Sequence, residues 1–447
     1  STPLYSSAAS DVYKRQQLCN DFPDDPTPQD VLCNALNYDP RASLGQLFDA
    51  HRAYGALVAR LRPDCLPPIS SASRKSKSKL RIGIISPDLK SHSCAYFIEP
   101  FFEFHDRSNF ELFAYHTNAA ADATTKRLAS FCHRFRHEYI ISDEKLAKMI
   151  RADEIDIAIE LSGHTRGDSL VAMHLRPVPV QVTYLGYPNI TGLDAIDYRI
   201  VDSITDPAKL VIRPANTSAE TLHYLDPCFL CFRPPAGAPA PVAPPSQQSG
   251  FITFGSCNAL QKINTTVIDT WASILNSVPN SRLLLKAFNL REPALQSQVR
   301  EHLASRGIDP SRLEIMGPIA DQSQHLEIYN RIDIALDTFP YNGHTTSLDS
   351  LWMGVPVVTL AGSTHVARVG ASLLAHTGLT EWIAATPDDF VAVAAAAARN
   401  LPRLAEFRHS LRERLRTSPL CDAVAFTRGL EAAYVTMVNP PQTGGID

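Results

Sequence analysis

Three observations predict that this 447-residue chain folds as α/β: two doubly wound lobes facing a cleft, preceded by a short helical segment. From Leu80 onward, apolar runs of strand length alternate with helical spacing, which argues for parallel sheets with helices on both faces. The alternation breaks at the proline-rich stretch Pro234–Gly250 and then restarts, which argues for two units. The length also exceeds what one hydrophobic core usually serves.

The elements follow in order. Residues 17–66 read as helical, because Leu44, Leu47, Phe48, His51, Tyr54, Leu57, Val58 and Leu61 keep roughly 3.6-residue spacing. Ser1–Gln16 lacks an initiator Met and any periodic pattern, so it is expected to be the cut end of a longer chain or an appended remnant. Pro63, Pro67, Pro68 and the Ser/Lys-rich Ser70–Lys79 are expected to form a solvated linker that closes segment 1–79. The first lobe, 80–233, takes buried strands at Leu80–Ser86, Phe110–His116, Ile155–Leu161, Val180–Tyr184 and Tyr198–Val201. Residues 234–250 are expected to be a semi-rigid linker. The second lobe, 251–438, takes strands at Phe251–Ser256, Arg282–Ala287, Leu313–Met316, Ile332–Leu336, Val355–Leu360 and near Ile383. Its helices are expected at Thr265–Ser277, Ala294–Arg306, His325–Arg331, Asp388–Asn400 and Leu401–Thr417. Two such lobes leave a cleft between the carboxyl ends of their strands, the place where α/β folds bind ligands.

Composition excludes several classes. The net charge is −4, and the basic residues are scattered apart from Arg74–Lys79, so no basic face for nucleic acid is expected. Nine widely spaced cysteines suit free thiols in a reducing compartment, and the lone pair Cys228/Cys231 has no second pair to complete a zinc site. No apolar run reaches about 18 residues and no secretory leader is visible, so no membrane association and a cytoplasmic location are expected. The sequons at Asn189, Asn216 and Asn264 are then expected to stay unmodified. Nothing in the sequence specifies an oligomeric state.

The richest stretch is Leu336–Asp349, LDTFPYNGHTTSLD. A short apolar strand runs into a turn at Tyr341-Asn342-Gly343, and helical spacing resumes at Leu348, Leu351 and Trp352. Such a strand–turn–helix offers free N–H groups and the positive end of a helix dipole to a phosphate. His344, Thr345 and Thr346 sit at the turn, with Asp349 in the first helical turn. The hydroxyls suit phosphate and the carboxylate suits ribose hydroxyls. The plainer alternative makes Thr346 an N-cap and Asp349 a dipole-matching acid, and leaves His344 and Gly343 unexplained.

Other strand ends carry further candidates. Lys262 follows the strand ending at Ser256 and is placed to neutralise a phosphate leaving group. His325 lies near a helix start, where it can stack on or donate to a base. In the first lobe, Ser86–His92 and Gly163–Gly167 each put a histidine, His92 and His164, at a strand's carboxyl end, where an imidazole can take a proton from a hydroxyl. Leu185–Gly192 is a third Gly/Pro loop facing the cleft. No Asp-x-Asp motif occurs, so a metal held on a diphosphate by paired carboxylates is not expected, and the neutralising charge is left to Lys262, helix N-termini and N–H groups.

Six ordered motifs, LRIGIISPDLKSH, LSGHTRG, RPVPVQVTYLGYPNITG, NALQKIN, GPIADQSQHL and LDTFPYNGHTTSLDSLWMGVPVVTL, resemble the catalytic region of protein O-linked N-acetylglucosamine transferases, especially bacterial homologues. The similarity runs from about residue 30 to 435. It implies a glycosyltransferase B-type fold with two Rossmann-like lobes, the acceptor on the N-terminal side and a UDP-sugar donor on the C-terminal side. It further implies inversion at the anomeric carbon, no metal or other cofactor, and a protein or peptide Ser/Thr acceptor. By position, Lys262 would face the diphosphate, His325 the uracil, His344, Thr345 and Thr346 the phosphates and sugar, and Asp349 the ribose. Gln261, Ala320, Gly186, Tyr187 and Pro188 would line the donor site, and His92 and His164 would join Lys262 as catalytic residues. His164 stands where some members have tyrosine. Ala259 and Gln322 stand where the animal enzymes have Gln and Lys. The tetratricopeptide repeats that usually precede the catalytic region leave no 34-residue self-similarity in residues 1–79, and the interlobe insertion of the animal enzymes is replaced by the proline stretch. Two other readings stay open: a Spindly-type fucosyltransferase using GDP-fucose, and a weakly active donor-binding scaffold. His344 and Asp349 favour UDP, since the Spindly branch tends to have Thr and Glu there.

Overall fold

The computed structural model describes residues 7–67, 69, 78–210 and 220–440. Most of the expected Ser/Lys linker and the sequon at Asn216 lie outside these residues. The N-terminal segment forms three helices, Ser7–Asp21, Pro26–Leu36 and Leu44–Leu61. The first covers part of the stretch expected to be patternless. The third opens on a capping box in which Ser43 and Gln46 satisfy each other's backbone amides.

The first lobe holds strands β1 (Leu80–Ser86), β2 (Phe110–His116), β3 (Arg134–His137), β4 (Ile157–Glu160), β5 (Val180–Thr183), β6 (Tyr198–Val201) and β7 (Thr221–Tyr224). They form one sheet in the order β3-β2-β1-β4-β5-β6-β7, every neighbour parallel. The second lobe holds β8 (Ile252–Ser256), β9 (Ser281–Lys286), β10 (Leu313–Met316), β11 (Ile334–Leu336), β12 (Val357–Leu360) and β13 (Ile383–Ala384), in the parallel order β10-β9-β8-β11-β12-β13. The central strands β1, β4, β8 and β11 are buried almost throughout, as strands covered on both faces must be, and they read as predominantly apolar runs. The edge strands β3 (RFRH) and β7 (TLHY) lack such runs and do not stand out in the sequence.

Two features change the expected division of the chain. The proline stretch is strapped to the second lobe rather than free: Ser246 donates its amide and hydroxyl to Asp333, the Val242 amide donates to Asn330, and Arg412 donates to the Pro239 carbonyl. The last helix, Ala423–Val438, returns to the first lobe and packs on the helix Ser93–Phe104. There Tyr434 meets Phe101 edge to face, and Glu431 accepts the Asp106 amide. A single hydrophobic cluster therefore runs from β1 through both lobes to Met437.

Candidate active site

The site grows out of the carboxyl end of β11. Asp337, the residue after the strand, is buried, and its carboxylate ties the following turn back onto the sheet. Oδ1 accepts the amides of Thr338 at 2.8 Å and Gly343 at 2.6 Å, and Oδ2 accepts the Thr359 hydroxyl at 2.7 Å. Burial raises this carboxyl to about 6. Gly343 is required by space: a Cβ there would lie 2.5 Å from Ser347 Oγ and 2.7 Å from Thr346 Oγ1. The helix Thr345–Trp352 then begins, with His344 as an N-cap whose side chain makes no cap bond. Thr346 therefore lies inside the first turn rather than at the cap. With no side chain closing it, the positive helix end stays open to an anionic ligand.

His344 Nε2 is buried without a hydrogen-bond partner, and burial, with Lys262 and His365 adding to it, drives the ring far below the usual histidine range. The imidazole is neutral at physiological pH, with one polar atom unspent. Lys262 ends a 3₁₀ turn, Leu260–Lys262, that follows β8. Its Nζ donates to the Asn342 carbonyl at 2.8 Å and sits 4.2 Å from the centre of the Tyr341 ring. Burial lowers this ammonium to about 8, while Asp337 pulls the other way.

A second cluster lies at the ends of β9 and of the helix Gln322–Glu327. Lys286 Nζ donates to His325 Nδ1 at 3.0 Å, which leaves the proton on Nε2, 3.8 Å from Asp349 Oδ2. Asp349 is buried, and that burial raises its carboxyl against the pull of His325 and Lys286. Thr346 Oγ1 donates to Asn258 Oδ1 at 3.0 Å. The structure thus brings Lys262, His344, Thr345, Thr346, His325 and Asp349 around one helix start. Gln261 adjoins them, its amide donating to Tyr38 Oη at 3.2 Å. Ala320 lies exposed in the loop before the His325 helix.

Across the cleft, Thr345 Oγ1 donates to Ser93 Oγ at 3.0 Å, directly beside His92. His92 caps the helix Ser93–Phe104, its Nδ1 accepting the Cys94 amide at 3.3 Å and lying 3.5 Å from Asp88. Its side chain is 44% exposed, and burial lowers its pKa while Asp88 raises it, so the ring is a neutral base at pH 7. His164 is placed differently. Its side chain is sealed, with Nδ1 2.7 Å from Asp30 and Nε2 2.8 Å from the Thr191 carbonyl, and Tyr54, His51 and Tyr187 pack around it. Both nitrogens are spent on the protein, so the expectation that it faces the cleft is corrected. The cause is the N-terminal helical segment, which covers the end of β4. Tyr187 is likewise buried: its hydroxyl donates to the Cys33 carbonyl at 3.1 Å and meets His51 Nε2 at 2.6 Å and Asn37 at 2.8 Å. Pro188 is buried beside it, and Gly186 packs on the Leu161 carbonyl.

Sequence reasoning missed Asp337, Asn258, Lys286 and Tyr38. The first three sit at or just past the carboxyl ends of β11, β8 and β9. A polar residue ending an apolar strand was the available signal, and in LLLK it reads as an ordinary strand terminus. Tyr38 left no local signal, because its partners lie more than two hundred residues away.

Comparison with known proteins assigns the chain to a family. The model of glycosyl transferase family 41 matches residues 67–232 and 246–430. A rice protein described as a probable UDP-N-acetylglucosamine–peptide N-acetylglucosaminyltransferase SPINDLY is 41% identical over 90% of this chain and 43% of its own length. The Arabidopsis protein SEC, described by the same activity, is 32% identical over 93% of the chain and 43% of its own. The chain thus spans less than half the length of these relatives. The solved structure of an O-GlcNAc transferase mutant from Thermobaculum terrenum superposes with a TM-score of 0.88 at 35% identity, covering 96% of this chain and 81% of that one. The chain belongs to glycosyl transferase family 41.

Proposed function

We propose that this chain transfers N-acetylglucosamine from UDP-GlcNAc to Ser or Thr hydroxyls of proteins, with inversion and without a metal. The observation that carries the reading is Lys262, a half-buried ammonium held against the Asn342 carbonyl beside the open start of the Thr345 helix. The activities ascribed to the SPINDLY and SEC relatives and the O-GlcNAc transferase fold support it. In this reading the diphosphate sits at the helix start, against Lys262, His344 and the Thr345 and Thr346 hydroxyls. Asp349 accepts from ribose hydroxyls and His325 meets the base. The acceptor hydroxyl oxygen attacks C1 of the sugar from the His92 side as the C1–O bond to the diphosphate breaks. Lys262 and the helix start stabilise the charge gathering on the leaving UDP, and neutral His92 is the group placed to take the hydroxyl proton. No helix among the described residues is long and apolar enough to cross a membrane, and the reading places the reaction in the cytoplasm.

The test is incubation with UDP-GlcNAc and an acceptor peptide, followed by mass spectrometry for a HexNAc addition on Ser or Thr. Binding of UDP with no such product defeats the transferase reading and leaves a donor-binding scaffold. The higher identity to SPINDLY than to SEC favours, as a second reading, a Spindly-type fucosyl transfer from GDP-fucose. A ligand at 100 times its dissociation constant adds about 2.7 kcal/mol to stability, so UDP raises the melting temperature if the first reading holds, and GDP does so if the second does.

A further inference from the structure

The N-terminal helical segment does more than cover the first lobe. At its turn after the helix Pro26–Leu36, the Tyr38 ring stacks on the Tyr341 ring with centroids 4.6 Å apart and an interplanar angle of 17°. The Lys262 ammonium also lies on the Tyr341 ring, 4.2 Å from its centre. Gln261, the residue before Lys262, donates to the Tyr38 hydroxyl at 3.2 Å. Tyr38 therefore touches both supports of the lysine: the aromatic ring that the ammonium faces and the backbone neighbour that carries it. The turn that presents Tyr38 is itself pinned, since Asn37 donates to the Tyr187 hydroxyl at 2.8 Å and its side-chain oxygen accepts from Asn189 at 2.9 Å.

We infer that Tyr38 is a positioning residue for the donor site, holding Tyr341 and, through it, Lys262 where a nucleoside diphosphate is bound. The physical case rests on what the ammonium lacks. Its hydrogen bond to Asn342 goes to a neutral carbonyl, and further stabilisation comes from the ring face and the more distant Asp337 charge. A cation held this way depends on the ring staying in place, and an offset-stacked second ring fixes the first more tightly than an aliphatic neighbour does. The consequence is that the helical segment, more than two hundred residues away in sequence, completes the donor site of the second lobe. Tyr38 touches no reacting atom in this arrangement and acts through Tyr341.

The inference rests on the reading of Lys262 as the group that faces the donor diphosphate, and the experiment separates the two. Wild type, Tyr38→Phe, Tyr38→Leu and Tyr38→Ala are compared for UDP affinity by calorimetry and for kcat and KM of transfer to a peptide. Tyr38→Leu keeps apolar bulk, so it guards against loss of the fold, which melting temperature checks. Leu and Ala are expected to weaken UDP binding and lower kcat by about tenfold each while leaving the peptide KM within about twofold. Phe, which keeps the stacked ring, is expected to stay within about threefold of wild type. UDP affinity unchanged in the folded Leu variant overturns the inference, as does Phe failing as badly as Leu. A wild-type chain that binds no UDP defeats the donor-site reading itself.

Discussion

His92 and His164 follow neighbouring parallel strands, β1 and β4, in loops of similar make-up, yet the two rings end in opposite states. His92 is half-exposed, with its Nδ1 on a helix amide and its lobe bridged to the second lobe one residue away. His164 is sealed, with both nitrogens bonded to the protein. A parallel sheet dictates that both loops lie at the same edge of the lobe, but what packs over each loop decides whether its histidine meets a ligand or a neighbour. Here the deciding element is the N-terminal helix pair carrying Asp30 and Tyr54, which closes over β4 and leaves β1 facing the cleft.

The Lys262 loop supplies the standard against which both histidines can be measured. Under the proposed function, Lys262→Ala should give the largest effect, about a 10³-fold loss of kcat, because in that reading it removes a preorganised charge aimed at the leaving group; steady-state kinetics with saturating peptide measure it. His164→Ala should destabilise the fold by about 3 kcal/mol in urea unfolding, since it strands the Asp30 carboxyl and the Thr191 carbonyl. The folded fraction should keep kcat within about threefold, and a large catalytic loss at unchanged stability would abolish the contrast between the two histidines. His92→Ala should do the reverse: a ten- to hundredfold fall in kcat with less than about 1 kcal/mol of stability lost with the helix cap.

The smallest effect is a divergence with pH. Lys262 has its folded pKa lowered from 10.5 to about 8, so the unfolded chain holds this proton more tightly. Between those values the group's contribution to stability rises with pH, whereas transfer, which in the proposed reading needs the ammonium, should fall above pH about 8. Denaturation and rate profiles measured on the same samples should therefore part in that window, and in Lys262→Ala the divergence should vanish.

Much of this architecture can be read from the chain. The strands LRIGIIS and FELFAYH match the structure end to end, because strands covered on both faces are predominantly apolar and both runs are, apart from Arg81, Glu111 and their last residues. The RFRH edge strand carries no such mark, and the helix Val369–His376 is apolar on nearly every side, so periodicity does not separate it from a buried strand. In the site, the strand–turn–helix of Leu336–Asp349 was legible because turn residues and helix starts are local. Lys286 on His325, Tyr38 on Tyr341 and Asp30 on His164 were not, since each contact is made by segments that only the finished fold brings together.

The return of the helix Ala423–Val438 to the first lobe has a practical meaning for how the molecule can be divided. The chain crosses between the lobes at the proline strap and again at this helix, whose Tyr434 and Glu431 complete the surface of Ser93–Phe104. A protease cut within residues 234–250 should leave both fragments associated through gel filtration. A separately expressed first lobe ending at residue 233 should be poorly soluble, with Phe101 laid bare, and supplying residues 251–440 alongside it should restore a soluble pair.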